Sequence, residues 1–237
     1  MGSKKKSELR STRTVGVVHV QKIRPITENQ RLTFEAWEKG KNLALHGAAG
    51  TGKTFVSLYL ALKDVLNPET PHSKVYIVRS LLPTREVGFL PGTIEEKSQV
   101  YELPYQNIVD ELIRTDASWQ TAYNTLKEMG VVEFFSTSYV RGTTLDNCII
   151  VVDEFSNMNF HELDSIITRV GTNTRIIFAG DISQSDLVKT SEKTGILDFM
   201  DILRVMPEFV SIEFTVDDIV RSGLVKSYLI AKHRRGK

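Results

Sequence analysis

The sequence predicts an α/β fold, a parallel β-sheet with helices on both faces, and three features carry that prediction. Short apolar strands alternate with helical segments along nearly the whole chain, the order that builds a parallel sheet. Two of the strands, at residues 149–152 and Arg175–Ala179, are continuous apolar runs of the kind buried on both faces. A glycine-rich turn at residues 47–54 joins a short apolar strand to a long apolar helix.

The 237 residues are 41% hydrophobic and 25% charged, a composition that predicts one soluble globular domain with room for an insertion. No run is long and apolar enough to cross a bilayer and the N-terminus lacks the apolar centre of a signal peptide, so a cytoplasmic location is expected, with no membrane partner. The single cysteine, Cys148, borders an apolar strand and reads as a small core residue; the five histidines show no metal-ligand spacing. Net charge is +1, unevenly spread. Residues 1–13 carry five bases against Glu8, and residues 232–237 carry four bases and no acid. Removing these nine bases and one acid from 30 and 29 leaves 21 against 28, an acidic middle between basic ends. Such ends are either solvated tails or contacts for a nucleic-acid backbone.

Residues 15–20 form a β-branched run that predicts the first strand, and Pro25 prevents a helix from starting before it. Thr27-Glu28-Asn29-Gln30 opens a helix that runs through about Lys39 and stops at Gly40. Gln30 admits two readings. As the fourth residue of Thr-x-x-Gln it completes a capping box on the Thr27 backbone, which the local pattern favours. As a glutamine one short helix upstream of an anion-binding loop, it pairs with the donor and acceptor edge of an adenine. Leu43, Ala44 and Leu45 form the next strand, and Phe55, Val56, Leu58, Leu60, Ala61 and Leu62 mark the helix after the glycines.

A strand follows at Lys74–Arg79. Residues 82–92 combine proline and glycine with Phe89, Leu90 and the Arg85-Glu86 pair, and suit either an exposed functional loop or a connection tucked under the domain. Helices are predicted over 104–114 and from Ser118, a good N-cap, to Met129, with Gly130 as the stop. Residues from about 80 to 130 thus read as an insertion. Strands at 131–135, 149–152 and 175–179, a helix over 161–170, a last strand at 210–214 and a helix from about Asp217 complete the chain. The resulting plan is a basic tail over 1–14 and one domain over 15–237.

Gly47-Ala48-Ala49-Gly50-Thr51-Gly52-Lys53-Thr54 has the residue types of a phosphate-binding loop. Its glycines let backbone N–H groups turn inward around an anion at a helix N-terminus, where the dipole adds positive charge. Lys53 would reach the β- and γ-phosphates of ATP, and the Thr54 hydroxyl would hold Mg2+. The strand ending Val152-Asp153-Glu154 presents two acids at its carboxyl end, where ligands bind in open α/β sheets. Asp153 suits the metal, held through water, and Glu154 suits removal of a proton from the attacking water. A carboxylate beside the metal-binding acid favours hydrolysis over a kinase reaction, which must exclude water. Gln184, after the strand 175–179, is placed to sense the γ-phosphate and orient that water.

Together these residues resemble the PhoH family of P-loop ATPases, with a core similar to the first motor domain of superfamily one helicases. The matching segments run nearly the full chain: Pro25-Ile26-Thr27-Glu28-Asn29-Gln30, the phosphate loop, Gly88-Phe89-Leu90-Pro91-Gly92 with Glu96-Lys97, Arg141-Gly142-Thr143-Thr144-Leu145, Val152-Asp153-Glu154, Gly180-Asp181-Ile182-Ser183-Gln184-Ser185-Asp186-Leu187 and Asp218-Ile219-Val220-Arg221. The resemblance implies a RecA-like P-loop NTPase fold, adenine reading by Gln30, and a helicase-type role for Gln184. Phe155-Ser156 departs from it, since the family usually has alanine and glutamine there, which puts any contact by the second position in question. The chain holds one motor domain, so the resemblance implies a homo-oligomer, as a hexameric ring, in which an arginine of one subunit completes the next subunit's site. Arg141, Arg169 and Arg221 are the candidates. An ATPase acting on single-stranded RNA or DNA is the leading expectation; an ATP-gated assembly protein with a protein partner is the alternative.

Overall fold

A computed structural model describes residues 19–80, 94–114, 121–137, 142, 144–182 and 190–235. In chain order the elements are β1 (His19–Val20), α1 (Glu28–Glu38), β2 (Asn42–Gly47), α2 (Lys53–Val65), β3 (Lys74–Arg79), α3 (Ile94–Leu112), β4 (Ile113–Arg114), α4 (Ala122–Glu128), β5 (Val132–Ser136), β6 (Cys148–Asp153), α5 (Phe160–Ile167), β7 (Arg175–Ala179), α6 (Thr190–Val205), β8 (Phe209–Phe214) and α7 (Gly223–Arg234). Six strands form one parallel sheet in the order β5-β3-β6-β7-β2-β8, the architecture of a P-loop NTPase. β1 and β4 form a separate antiparallel pair. No helix among the described residues is long and apolar enough to cross a membrane.

The two-residue alternation of side chains divides the core between the faces of the sheet. Leu43 and Leu45 of β2, Val75 and Ile77 of β3, and Ile149 and Val151 of β6 pack with Trp37 of α1, the apolar side of α2, Tyr105 and Val109 of α3 and Tyr123 of α4. Ala44, Val78, Ile150, Val152 and Phe178 face the other way, against Leu163 and Ile166 of α5 and Phe199, Met200 and Leu203 of α6. Every residue of β6 is buried, as its unbroken apolar run requires. Cys148 lies in this core, buried and unpaired by any disulfide.

The amino end of the sheet is fastened by Arg175, the first residue of β7. Its guanidinium stacks on the Trp37 ring at 3.2 Å, donates to the carbonyls of Trp37 and Lys41 at 2.8 Å each, and pairs with Asp64 at 3.3 Å. Burial pushes its pKa down to about 10 despite that carboxylate.

Several helix boundaries differ from expectation. α3 begins at Ile94, ten residues before Pro104, and runs through the proline; Pro104 is exposed, so the carbonyl it leaves without a donor faces water. α4 is capped by Thr121, whose side chain accepts from the Asn124 amide; Ser118 lies outside the described residues, as do residues 15–18 of the first predicted strand. The final helix starts at Gly223 rather than near Asp217, because Thr215 and Asp218 close a capping box on a single 3₁₀ turn and Ile219 then leaves helical geometry. α6 is a full helix where the sequence predicted no bounded one.

Candidate functional site

The site lies at the carboxyl ends of the central strands, where β2 delivers the glycine loop and β6 delivers Asp153 and Glu154. β7 separates these two strands in the sheet, so the loop and the acids approach each other across it. Gly47 could carry no side chain: its φ is +106° and a Cβ would stand 2.1 Å from the Phe214 carbonyl oxygen, to which the Ala48 amide also donates at 2.8 Å. Gly50 and Gly52 also have positive φ, which L side chains resist. Gly52 is the N-cap of α2. It supplies no side-chain acceptor, and the first turn of α2 carries no acid. The leading amides of that helix are therefore offered to an anion rather than to the chain itself.

Lys53 opens α2 and is buried, with its ammonium donating to the carbonyls of Gly47 at 2.9 Å and Ala48 at 2.7 Å and lying 3.4 Å from the Thr51 hydroxyl. The cation thus lies inside the loop that would surround a phosphate. Burial depresses its pKa, against the pull of Asp181, Glu154 and Asp153. The Thr51 hydroxyl donates to the Ala48 carbonyl at 3.0 Å and stiffens the turn from within. Ala49 belongs to the same half-buried arch.

The Thr54 hydroxyl donates to Asp153 Oδ1 at 2.8 Å. A hydroxyl that gives its proton to a carboxylate keeps its lone pairs for a cation, so this oxygen pair suits the hard, oxygen-preferring Mg2+. The other carboxylate oxygen, Oδ2, accepts from the Tyr105 hydroxyl at 2.8 Å. Burial raises the Asp153 pKa against those two hydrogen bonds and the charge of Arg79. Glu154 is also raised, first by burial and then by the Asp153 charge. Its backbone is left-handed, φ 51° and ψ 40°, at the head of a 3₁₀ turn over Phe155–Asn157. That geometry is rare for a glutamate.

Phe155, the departure from the resembled pattern, is fully buried and packs edge-on to Phe178 at 6.1 Å. A Cβ on Gly180 would stand 2.9 Å from its ring, so the large residue is accommodated by the small one beside it.

The start of α1 and the segment after β8 meet beside the loop. Gln30 is buried; its Oε1 accepts from the Ile26 amide at 3.0 Å and its Nε2 donates to the Thr51 carbonyl at 3.1 Å. Its local role is therefore half a cap, because Thr27 accepts from the Gln30 amide while the glutamine reaches Ile26 rather than Thr27. Asn29 donates to Asp218 at 2.7 Å, and the Val220 amide donates to the Gly50 carbonyl at 3.1 Å. Arg221 follows, with its Cγ 3.1 Å from where a Gly50 Cβ would stand. Arg221 thus flanks the phosphate loop. Arg169 follows α5, where its carbonyl accepts from Leu145, just before β6, at the opposite end of the sheet from its own phosphate loop. Arg141 and Gln184 lie outside the described residues, as do residues 82–92.

Three nearby groups were not singled out from the sequence. Arg79 ends β3 in register with Asp153, under the Tyr101 ring at 5.5 Å; the strand-end rule that marked Asp153 would have found it. Asp181, buried one residue past Gly180, adds negative charge near Lys53. Tyr105 carried no local signal, since 48 residues separate it from Asp153.

A family model described as PhoH-like protein matches residues 22–232. The chain is 30% identical over 210 residues to a PhoH-like protein of Bacillus subtilis and 31% identical over 213 residues to one of Synechocystis, covering 88% and 90% of this chain. It spans 63% and 62% of the length of those relatives. Among solved structures, the large terminase of a thermophilic bacteriophage superposes over 86% of this chain and 50% of its own, with a TM-score of 0.52 at 14% identity, a likeness of fold. A match across nearly the entire described chain, joined to a phosphate loop facing paired acids, places the protein plainly: it belongs to the PhoH-like family.

Proposed function

We propose that this protein binds ATP with Mg2+ and hydrolyses it, and that hydrolysis is coupled to single-stranded RNA or DNA within a homo-oligomer. The observation that supports this most is the Thr54 to Asp153 hydrogen bond of 2.8 Å, which brings the phosphate loop and the acidic strand end into one site. Lys53 would exchange its loop carbonyls for phosphate oxygens. Thr54 and Asp153 would hold Mg2+, which neutralises charge gathering on the phosphates. Glu154 would accept the proton of the attacking water, and Gln184 would orient that water. Gln30, which contacts the loop through Thr51, would read the adenine, exchanging its bond from the Ile26 amide for one to the base.

The subunits would form a hexameric ring, with Arg141 or Arg169 of one subunit reaching the next subunit's nucleotide and Arg221 acting within its own. The basic end of α7, Lys232, Arg234 and Arg235, is a candidate contact for a phosphate backbone. A second reading is an ATP-gated assembly protein acting on a protein partner. It draws on α7, which approaches Gly50 of the loop through Leu229 and leaves Leu224 and Tyr228 84% and 65% exposed.

Steady-state ATPase activity at two salt concentrations, with and without single-stranded RNA and DNA, tests the proposal. Stimulation that weakens as salt rises is the expected result. Activity indifferent to both polymers would replace the nucleic-acid reading with the protein-partner one.

A further inference from the structure

Both oxygens of Asp153 are held, and the two donors come from different parts of the fold. Thr54 belongs to the phosphate loop's own helix; Tyr105 belongs to α3, in the segment between the adjacent strands β3 and β5. Tyr105 is fully buried and its ring lies 5.7 Å from Phe134, so packing fixes the direction of its hydroxyl. One turn earlier on α3, Tyr101 faces Arg79, which is paired in register with Asp153. Two successive turns of α3 therefore bear on the acidic end of the sheet. The helix's contact with α4 is equally fixed: buried Glu102 accepts from Tyr123 at 2.6 Å and pairs with Lys127 at 2.5 Å.

We infer that Tyr105 is a positioning residue for the metal site, holding Asp153 in the orientation that receives Mg2+ and thereby making α3 respond to the metal-bound nucleotide. This inference rests on the nucleotide reading above. The Tyr105 hydroxyl fixes the second carboxylate oxygen, so the orientation of the carboxylate plane is set from α3 as well as from Thr54. Any movement of Asp153 toward a cation then pulls on a helix that is also anchored to α4.

The test uses the full chain and its Tyr105→Phe variant, which keeps the ring and loses only the hydroxyl. Binding of a fluorescent ATP analogue is followed in EDTA and then across a Mg2+ titration, and hydrogen exchange of α3 is measured with and without the Mg2+ nucleotide. The variant should bind metal-free nucleotide as the wild type does, need about tenfold more Mg2+ for the tighter metal-dependent state, in line with one lost hydrogen bond to a charged group, and lose the nucleotide-dependent change in α3 exchange. A role confined to packing would move melting temperature and leave the Mg2+ requirement alone. An unchanged Mg2+ requirement in the variant overturns the inference, as does wild-type α3 exchange that is blind to the Mg2+ nucleotide, a result independent of whether the variant folds. If the wild type binds no nucleotide in either condition, the functional proposal falls and carries this inference with it; binding with an unaltered variant removes the inference alone.

Discussion

Glu154 holds its side chain through a left-handed backbone, φ 51° and ψ 40°, a conformation costing roughly 1–2 kcal/mol for a residue with a Cβ. Its carboxylate is also half of a like-charged pair, raised in pKa by burial and by Asp153. Stability and activity should therefore oppose each other at this position. Glu154→Gly relieves both the backbone and the charge, and is expected to be more stable by about 1 kcal/mol after glycine's extra unfolded-state entropy, a rise of roughly 2–4 °C in melting temperature for a chain of this size, with hydrolysis lost. Thermal denaturation beside an ATPase assay checks it; a lower melting temperature would mean that Glu154 makes a stabilising contact outweighing its strain. Lys53, Thr54, Asp153 and Glu154 were legible in the sequence because each sits in a short motif whose spacing states its chemistry. Tyr105 was not, since only the packing of α3 against the sheet brings its hydroxyl to Asp153.

The elements owe their order to the sheet, and the sheet's amino end depends on one side chain. Arg175 satisfies two carbonyls, pairs with Asp64 and covers the face of Trp37, tying β7 to α1 and α2. Arg175→Ala leaves Asp64 and both carbonyls without that donor in a poorly solvated place and should cost about 3 kcal/mol. Arg175→Lys should recover less than half of this, because a single ammonium cannot span the fork and stack on the indole together. Chemical denaturation followed by tryptophan fluorescence measures both; full recovery by lysine would show that charge alone matters there. Strands at this scale were readable from short apolar runs bounded by turns, and β3 and β7 have the bounds expected from the sequence. Helix ends were less so. Pro104 resembles a helix start because its ring suits a first turn, yet an exposed proline is tolerated inside a helix whose other face is packed; Asp217 looks like a helix opening, yet the Thr215 box caps only one turn.

At the scale of the molecule, residues far apart in the chain converge on the loop: Gln30 on Thr51, Val220 on Gly50, and Asn29 on Asp218, which binds the two flanks to each other. The local capping pattern could not reveal this for Gln30, because its contact with Thr51 spans 21 residues and forms only when α1 packs beside the loop. The parallel fold was predictable from alternation alone. A subunit arrangement would not be, because an arginine proposed to act in trans would carry no signature in its own chain. The proposed function depends on Lys53 and Glu154 serving one nucleotide in separable ways. ATP binding and ATP turnover, measured side by side for the wild type, Lys53→Ala and Glu154→Gln, test that most directly. Lys53→Ala should lose binding, while Glu154→Gln should bind as the wild type does and turn over roughly a hundredfold more slowly or worse. Turnover at the wild-type rate by Glu154→Gln would contradict the assignment of this site as the place where ATP is hydrolysed.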